Sequence, residues 1–228
     1  MRRFQALDAW RTLAVVLMAI YHFLFDLYIF GVIGAETMFC TPLNVLERFI
    51  CSSFILLAGA SARFSRNNLR RGLVVLGAGL VVELGAAAAG QTIRWGVLML
   101  LGTSMVIWHF AGKYLGKLPG WALAVSGGIL FFLTRWWTGT VAVTVSWLYP
   151  LGFIAPGFYS ADYFPLLPWF FLFLMGTVLG GWCLNHRDNR LLTAPLPAAL
   201  TWPGRHSLVI YVLHQPVLYG VSYLIWGR

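Results

Sequence analysis

The chain has 228 residues, of which 60% are hydrophobic and only 10% charged, and its mean hydropathy is +0.78. A soluble domain carries about 25% charged residues, so this chain lacks the charge to cover a water-facing surface. Its net charge of +9 would suggest nucleic acid in a soluble protein, but here the cations fall between apolar runs, where membrane topology accounts for them and nucleic acid is not indicated.

Seven stretches approach the roughly 20 apolar residues that a helix needs to cross the hydrocarbon. They are residues 10–32, 49–62, 72–89, 95–110, 121–137, 164–184 and 207–226. The first has a basic start, Arg2 and Arg3, like a signal peptide. His22 and Asp26 interrupt it and no small-residue cleavage site follows, so it reads as a retained helix. The second and fifth are short or glycine-rich. Residues 138–163 form the longest outer connection, with Trp147, Tyr149, Phe153, Phe158 and Tyr159 set among Pro150 and Pro156. Two readings of it stay open: an interfacial lid or re-entrant piece, and a plain aromatic interface loop. Gly176 and Gly180, four apart in the sixth stretch, favour close helix packing. Cys40, Cys51 and Cys183 have no paired spacing, so neither a disulfide framework nor a zinc site is expected.

The loops orient the bundle. With the N-terminus in the cytoplasm, the cytoplasmic segments hold Arg2, Arg3, Arg63, Arg66, Arg70, Arg71, Lys113, Lys117, Arg187, Arg190 and Arg205. The other side receives Arg48, Arg94, Arg135 and Arg228, and Arg11 sits at the cytoplasmic mouth of the first helix. Lys and Arg favour the cytoplasmic side. The expected fold is therefore an all-α, multi-pass membrane protein of about seven transmembrane helices, N-terminus cytoplasmic and C-terminus outside. No long polar stretch separates a second domain, so residues 1–228 read as one.

The first helix carries the informative residues, LDAWRTLAVVLMAIYHFLFDL. At about 100° per residue, Asp8, Arg11, His22 and Asp26 fall within roughly 60° of one another. Arg11 and His22 are separated by a rise of roughly 16 Å, which puts His22 near mid-membrane. Ionisable groups are expensive against lipid, so the stripe should face the bundle interior or a wet cavity. Asp26, one turn beyond His22, can reach the imidazole and make with it a general-base pair. Asp8 and Arg11 suit a cap and ion pair at the helix start. The competing reading makes all four structural contacts between helices.

Farther along, Glu83 lies deep in an apolar stretch and should not face lipid. Ser52, Ser53, Ser61 and Ser104 suit interhelical contacts better than nucleophilic roles, since no G-x-S-x-G elbow is present. His214 and Gln215, in YVLHQP, reach a depth similar to that of His22, and Pro216 removes a main-chain bond beside them. The run RFSRNNLRR has two readings, a topology and headgroup signal or an anion site for nucleotide-type phosphates. No Walker or dinucleotide glycine fingerprint occurs, so ATP and NAD are not indicated.

The pattern D-x-x-R followed by M-x-x-x-H, with Arg11 and His22 eleven apart, resembles the first helix of the transmembrane acyltransferase superfamily. That superfamily includes acyltransferase-3 proteins and the heparan-α-glucosaminide N-acetyltransferase catalytic domain with its bacterial relatives. FILLAGASARF, GVLMLLGTSM, YFPLLPWFFLFLMGTVLG and GRHSLVIYVLHQPVL also resemble segments of that group, in the same order over nearly the whole chain. The resemblance implies transfer of an acetyl or other acyl group from cytoplasmic acyl-CoA, such as acetyl-CoA, to an amine or hydroxyl of a sugar or glycan acceptor. It implies no metal. His22 would be the catalytic histidine, with Asp26, Arg11 and Asp8 around it. Arg11, Arg63, Arg66, Arg70, Arg71, Ser61, His214 and Gln215 would serve the CoA. A bacterial inner membrane, lipid contacts and, compatibly, a homodimer are the expected setting. Many relatives have Arg-Gly where this chain has Arg11-Thr12. No histidine lies between His22 and His109, so an acyl-histidine route through a loop after the first helix is not supported, and direct transfer in a ternary complex is expected. A small proton-coupled transporter and a non-catalytic protein of the same fold are the alternatives.

Overall fold

The computed structural model describes residues 3–227; Arg2 and Arg228 lie outside the described residues. The described chain is helical and contains no strand. The helices are α1 (Gln5–Ile29), α2 (Ala35–Met38), α3 (Thr41–Phe64), α4 (Asn68–Ala88), α5 (Val97–Leu115), α6 (Gly120–Thr140), α7 (Leu166–Asn185), α8 (Arg190–Thr193), α9 (Ala198–Arg205) and α10 (Ser207–Trp226), with a 3-10 turn at Ser146–Leu151 before α7. Each of the seven apolar stretches becomes one long helix. The second gains most, because α3 starts at Thr41 rather than near Phe49.

Among the described residues, five helices are long and apolar enough to cross a membrane: α1, α3, α4, α7 and α10. They make this an integral membrane protein. The other two long helices, α5 and α6, are diluted. α5 carries His109 and Lys113 in its second half, and α6 carries Arg135 among Gly, Ser, Thr and Trp.

The chain divides into two compact units, one of Met1–Phe54 with His186–Arg228 and the other of Ile55–Asn185. In the first, α1 is flanked by α9 and α10 from the far end of the sequence. Leu7, Ala14, Val15, Met18, Met38 and Ile50 are its buried apolar residues. Trp10 closes α1 onto α3, its Nε1 donating to Ser53 Oγ at 3.1 Å, which is the interhelical role expected of that serine.

In the second unit, glycines set how closely the helices approach. A methyl on Gly176 would meet the carbonyl of Leu56, one on Gly180 the carbonyl of Ala60, and one on Gly59 the carbonyl of Phe173. The α3–α7 crossing therefore brings backbone against backbone, as the Gly176 and Gly180 spacing predicts. Gly72 and Gly102 do the same for α4 and α5. The opposite face of α4 exposes Leu73, Val74, Leu80, Val81 and Leu84. Small residues inside and large apolar ones outside suit a helix whose solvent is lipid.

Glu83 is turned away from that apolar face. Its Oε1 accepts from the main-chain N–H of Trp95 at 2.7 Å and of Gly96 at 3.3 Å, while Asp162 Oδ2 accepts from Val97 N–H at 3.2 Å. Two carboxylates thus satisfy orphan donors at the start of α5 and sit at the positive end of its dipole. The turn between α4 and α5 holds Trp95 at φ 59°, a left-handed conformation rare for a bulky residue. Ser160 joins the long connection to this turn, accepting from Arg94 N–H at 2.9 Å. Tyr163 donates to the carbonyl of Tyr149 at 2.6 Å, and Phe158 stacks on the Tyr149 ring and packs at a tilt against Tyr163.

Gly176→Val should lower stability by about 1–3 kcal/mol, because backbone leaves no room for the side chain. Gly128→Val, in α6 with open space at its Cβ, should cost about 0.5 kcal/mol beyond the shared change in helix propensity. Thermal unfolding of both variants in detergent, followed by tryptophan fluorescence, checks this; equal losses would contradict the backbone contact.

Candidate active site

The ionisable stripe of α1 is internal, and the last forty residues of the chain meet it. At the start of α1, Asp8 is buried, with its side chain 6% exposed. Arg3 Nε lies 2.8 Å and Arg205 Nε 3.2 Å from its Oδ2, and Arg11 Nη1 lies 3.5 Å from its Oδ1. Arg205 also donates through Nη2 to Gln5 Oε1 at 3.2 Å. One carboxylate against three guanidinium groups leaves two positive charges in excess.

Thr12, one turn on from Asp8, donates to the Asp8 carbonyl at 3.1 Å and accepts from Gly204 N–H at 2.9 Å. A methyl on Gly204 would strike the Asp8 carbonyl. The close approach that a glycine after Arg11 would permit is thus supplied from the other side, by the glycine of α9. This arrangement holds Arg205 beside Asp8.

Deeper along α1, the His22 ring packs edge-on against His214 of α10, with centroids 4.7 Å apart. One turn on, Asp26 is fully buried, and its Oδ1 accepts from Gln215 Nε2 at 2.7 Å. The expected His22–Asp26 hydrogen bond is not formed. Asp26 takes its donor from Gln215, and its Oδ2 has no partner. α10 supplies both partners: Gln215 Nε2 stands 2.7 Å from the carboxylate, and the His22 ring is packed against His214 instead. His214 Nδ1 lies 2.6 Å from the Tyr211 carbonyl, and its Nε2 is buried without a partner, as is Gln215 Oε1.

The structure therefore brings Asp8 to Arg11, His22 to His214 and Asp26 to Gln215. Ser61, Arg63, Arg66, Arg70 and Arg71 belong to the other unit. There Arg63 donates to the Gly116 carbonyl at 3.2 Å and lies 5.9 Å from the Trp108 ring centroid. Arg71 donates to the Ser61 carbonyl at 3.2 Å. Both serve helix C-termini, where cations complete orphan carbonyls. Arg66 and Arg70 are exposed. His109, His186 and His206 are exposed as well. Among the described residues no disulfide joins the cysteines, and no three His, Cys, Asp or Glu side chains gather as a metal site would require.

The contacts of Thr12, Gly204 and Arg205 with Asp8 were not visible in the sequence. Arg205 lies 197 positions from Asp8, and its local signal is that of any loop cation.

These features define a helical membrane protein with a seam between α1 and α10 that holds two partly buried imidazoles and a buried carboxylate. The chain belongs to the family described as heparan-alpha-glucosaminide N-acetyltransferase, catalytic, whose model matches residues 3–216; the class is a membrane acetyltransferase. No curated protein and no solved structure matches the chain.

Arg205→Ala should cost about 1–3 kcal/mol, since it strips a donor from a buried carboxylate. Arg3→Ala, whose side chain is 59% exposed, should cost at most about 1 kcal/mol. Thermal melts of the two variants decide this; the reverse order would place the main partner of Asp8 at Arg3.

Proposed function

We propose that this protein transfers an acetyl group from cytoplasmic acetyl-CoA to an amine or hydroxyl of a sugar or glycan acceptor, with His22 as general base in a ternary complex. The observation that carries this reading is the packing of a partly buried His22 against His214 where α1 meets α10, in a chain that belongs to an N-acetyltransferase family. An imidazole held inside a membrane helix bundle is a functional group by default. As base, it takes the proton of the attacking amine or hydroxyl. The freed electron pair forms the bond to the thioester carbonyl carbon, the carbon–sulfur bond breaks with its pair on sulfur, and CoA leaves as the thiol once that proton is returned.

The donor's phosphates need cations at the membrane surface. The excess positive charge around Asp8 offers Arg11 for that role, and Arg66 and Arg70 are exposed guanidinium groups that suit it too. Arg63 and Arg71 are better placed to anchor helix ends. Seven spans, with the N-terminus on the basic side and the protein in a bacterial inner membrane, complete the reading. They follow the positive-inside bias of the loops. α5 would then cross as well, since its 19 residues rise about 28 Å.

Calorimetry of acetyl-CoA binding to the detergent-purified protein tests the reading. Binding should be saturable, should survive His22→Ala and should weaken in Arg11→Ala. Transfer to a sugar acceptor should fall by about 100-fold or more in His22→Ala, the usual size of a lost general base. Absence of acetyl-CoA binding would overturn the proposal and turn attention to proton-coupled transport.

A further inference from the structure

Within the unit of Ile55–Asn185, charges are separated by sign. Its acidic residues are Glu83 and Asp162, and both accept from main-chain N–H groups at the start of α5. α4 and α5 run antiparallel, with Gly79 against Leu98 and Met99 and Gly72 against Met105 and Val106. The start of α4 therefore stands beside the end of α5. Arg63, at the end of α3, ties the turns there by donating to the Gly116 carbonyl after α5. This end of the unit carries Arg66 and Arg70, in the turn before α4 and its first residues, and Lys113 and Lys117 at the end of α5. All four are exposed.

No carboxylate of the unit offsets these cations. Glu83 stands about 20 Å along α4 from Arg70, and salt largely screens exposed charges over more than about 8 Å. Exposed apolar side chains begin directly beside the cations. Leu73 and Val74 follow Arg70 on α4, and Phe110 and Tyr114, one turn apart on α5, are 60% and 65% exposed. Lys113 Nζ lies 4.8 Å from the Tyr114 ring centroid. A soluble phosphate would meet the cations and leave the apolar side chains uncovered. A phospholipid matches both, because its headgroup reaches the charges while its acyl chains cover the apolar side chains. α4 is long and apolar enough to span the bilayer, which puts its first turn at headgroup depth.

We propose that this end of the unit is a binding site for an anionic phospholipid, with Arg66, Arg70, Lys113 and Lys117 around the headgroup and Phe110 and Tyr114 along the acyl chains. A zwitterionic headgroup brings a cation of its own to a surface with no carboxylate to receive it, so the site selects lipids of net negative charge. The site goes beyond acetyl transfer and does not depend on it.

Phosphatidylglycerol and phosphatidylcholine with the same acyl chains are the probes. Native mass spectrometry of the detergent-purified full chain should show phosphatidylglycerol binding about tenfold or more tightly, since each cation near an anionic headgroup contributes about fivefold. Lys113→Gln with Lys117→Gln should weaken phosphatidylglycerol by about tenfold or more and leave phosphatidylcholine and acetyl-CoA unchanged. Lys113→Arg with Lys117→Arg should keep the preference. Arg94→Gln with Arg135→Gln removes the same charge from the opposite end of the unit and should keep it too. Equal affinity for the two lipids would overturn the site, as would an equal loss in the Arg94 and Arg135 pair or arginine variants that bind like the glutamine ones. Displacement of phosphatidylglycerol by millimolar inorganic phosphate, or loss of acetyl-CoA binding in the glutamine pair, would overturn it as well and assign these cations to a soluble anion.

Discussion

A carboxylate buried in a membrane helix must find its donors within the protein, because neither water nor lipid will supply them. α1 carries two such groups, Asp8 and Asp26, both buried. Each takes a donor from the C-terminal part of the chain, Arg205 for Asp8 and Gln215 for Asp26. These two bonds are about 190 residues apart in sequence from their acceptors. They tie α9 and α10 to places along α1: sliding α10 by a turn would strip Asp26 of its donor, and sliding α9 would take Arg205 from Asp8 and leave it Arg3 and Arg11. The contact between His22 and His214 follows from that register.

The two carboxylates are treated differently, and the difference has a physical sense. Asp8 is over-compensated, with three guanidinium groups, two of them partly exposed. Its surroundings are strongly cationic and suit an anionic ligand arriving from water. Asp26 is under-compensated, with one neutral donor. Its surroundings favour a cationic or donor-rich ligand instead. One face of α1 thus holds two opposite electrostatic environments about five turns apart.

Much of this was legible in the sequence, for identifiable reasons. The seven long helices follow from hydropathy alone, and the internal direction of α1 follows from the cost of ionisable groups in lipid. Gly176 and Gly180 signalled close packing because small residues four apart have few other uses in a membrane helix. The pairing of Asp26 was not legible. Along one helix His22 is its nearest polar neighbour, and Gln215 lies 189 positions away. Arg63 and Arg71 read as free cations because their partners are main-chain carbonyls, which no sequence displays. Asp162 escaped notice because it lies in a connection whose attachment to the start of α5 depends on the fold.

The fate of the arginine run shows how charge near a membrane divides its work. Helix ends leave carbonyls without partners, and at a membrane boundary a guanidinium is well suited to meet them, since its fork donates while its stem covers apolar surface. Arg63, with Trp108 beneath it and the Gly116 carbonyl before it, uses its charge within the protein. Arg71 does likewise at the end of α3. A cation already donating to carbonyls has fewer N–H groups left for other partners. The excess charge at Asp8 is of another kind, because a single carboxylate cannot saturate three guanidinium groups. By that reasoning the surplus of positive charge at the start of α1 comes from the number of guanidinium groups set around one carboxylate, whereas Arg63 and Arg71 are engaged by helix ends.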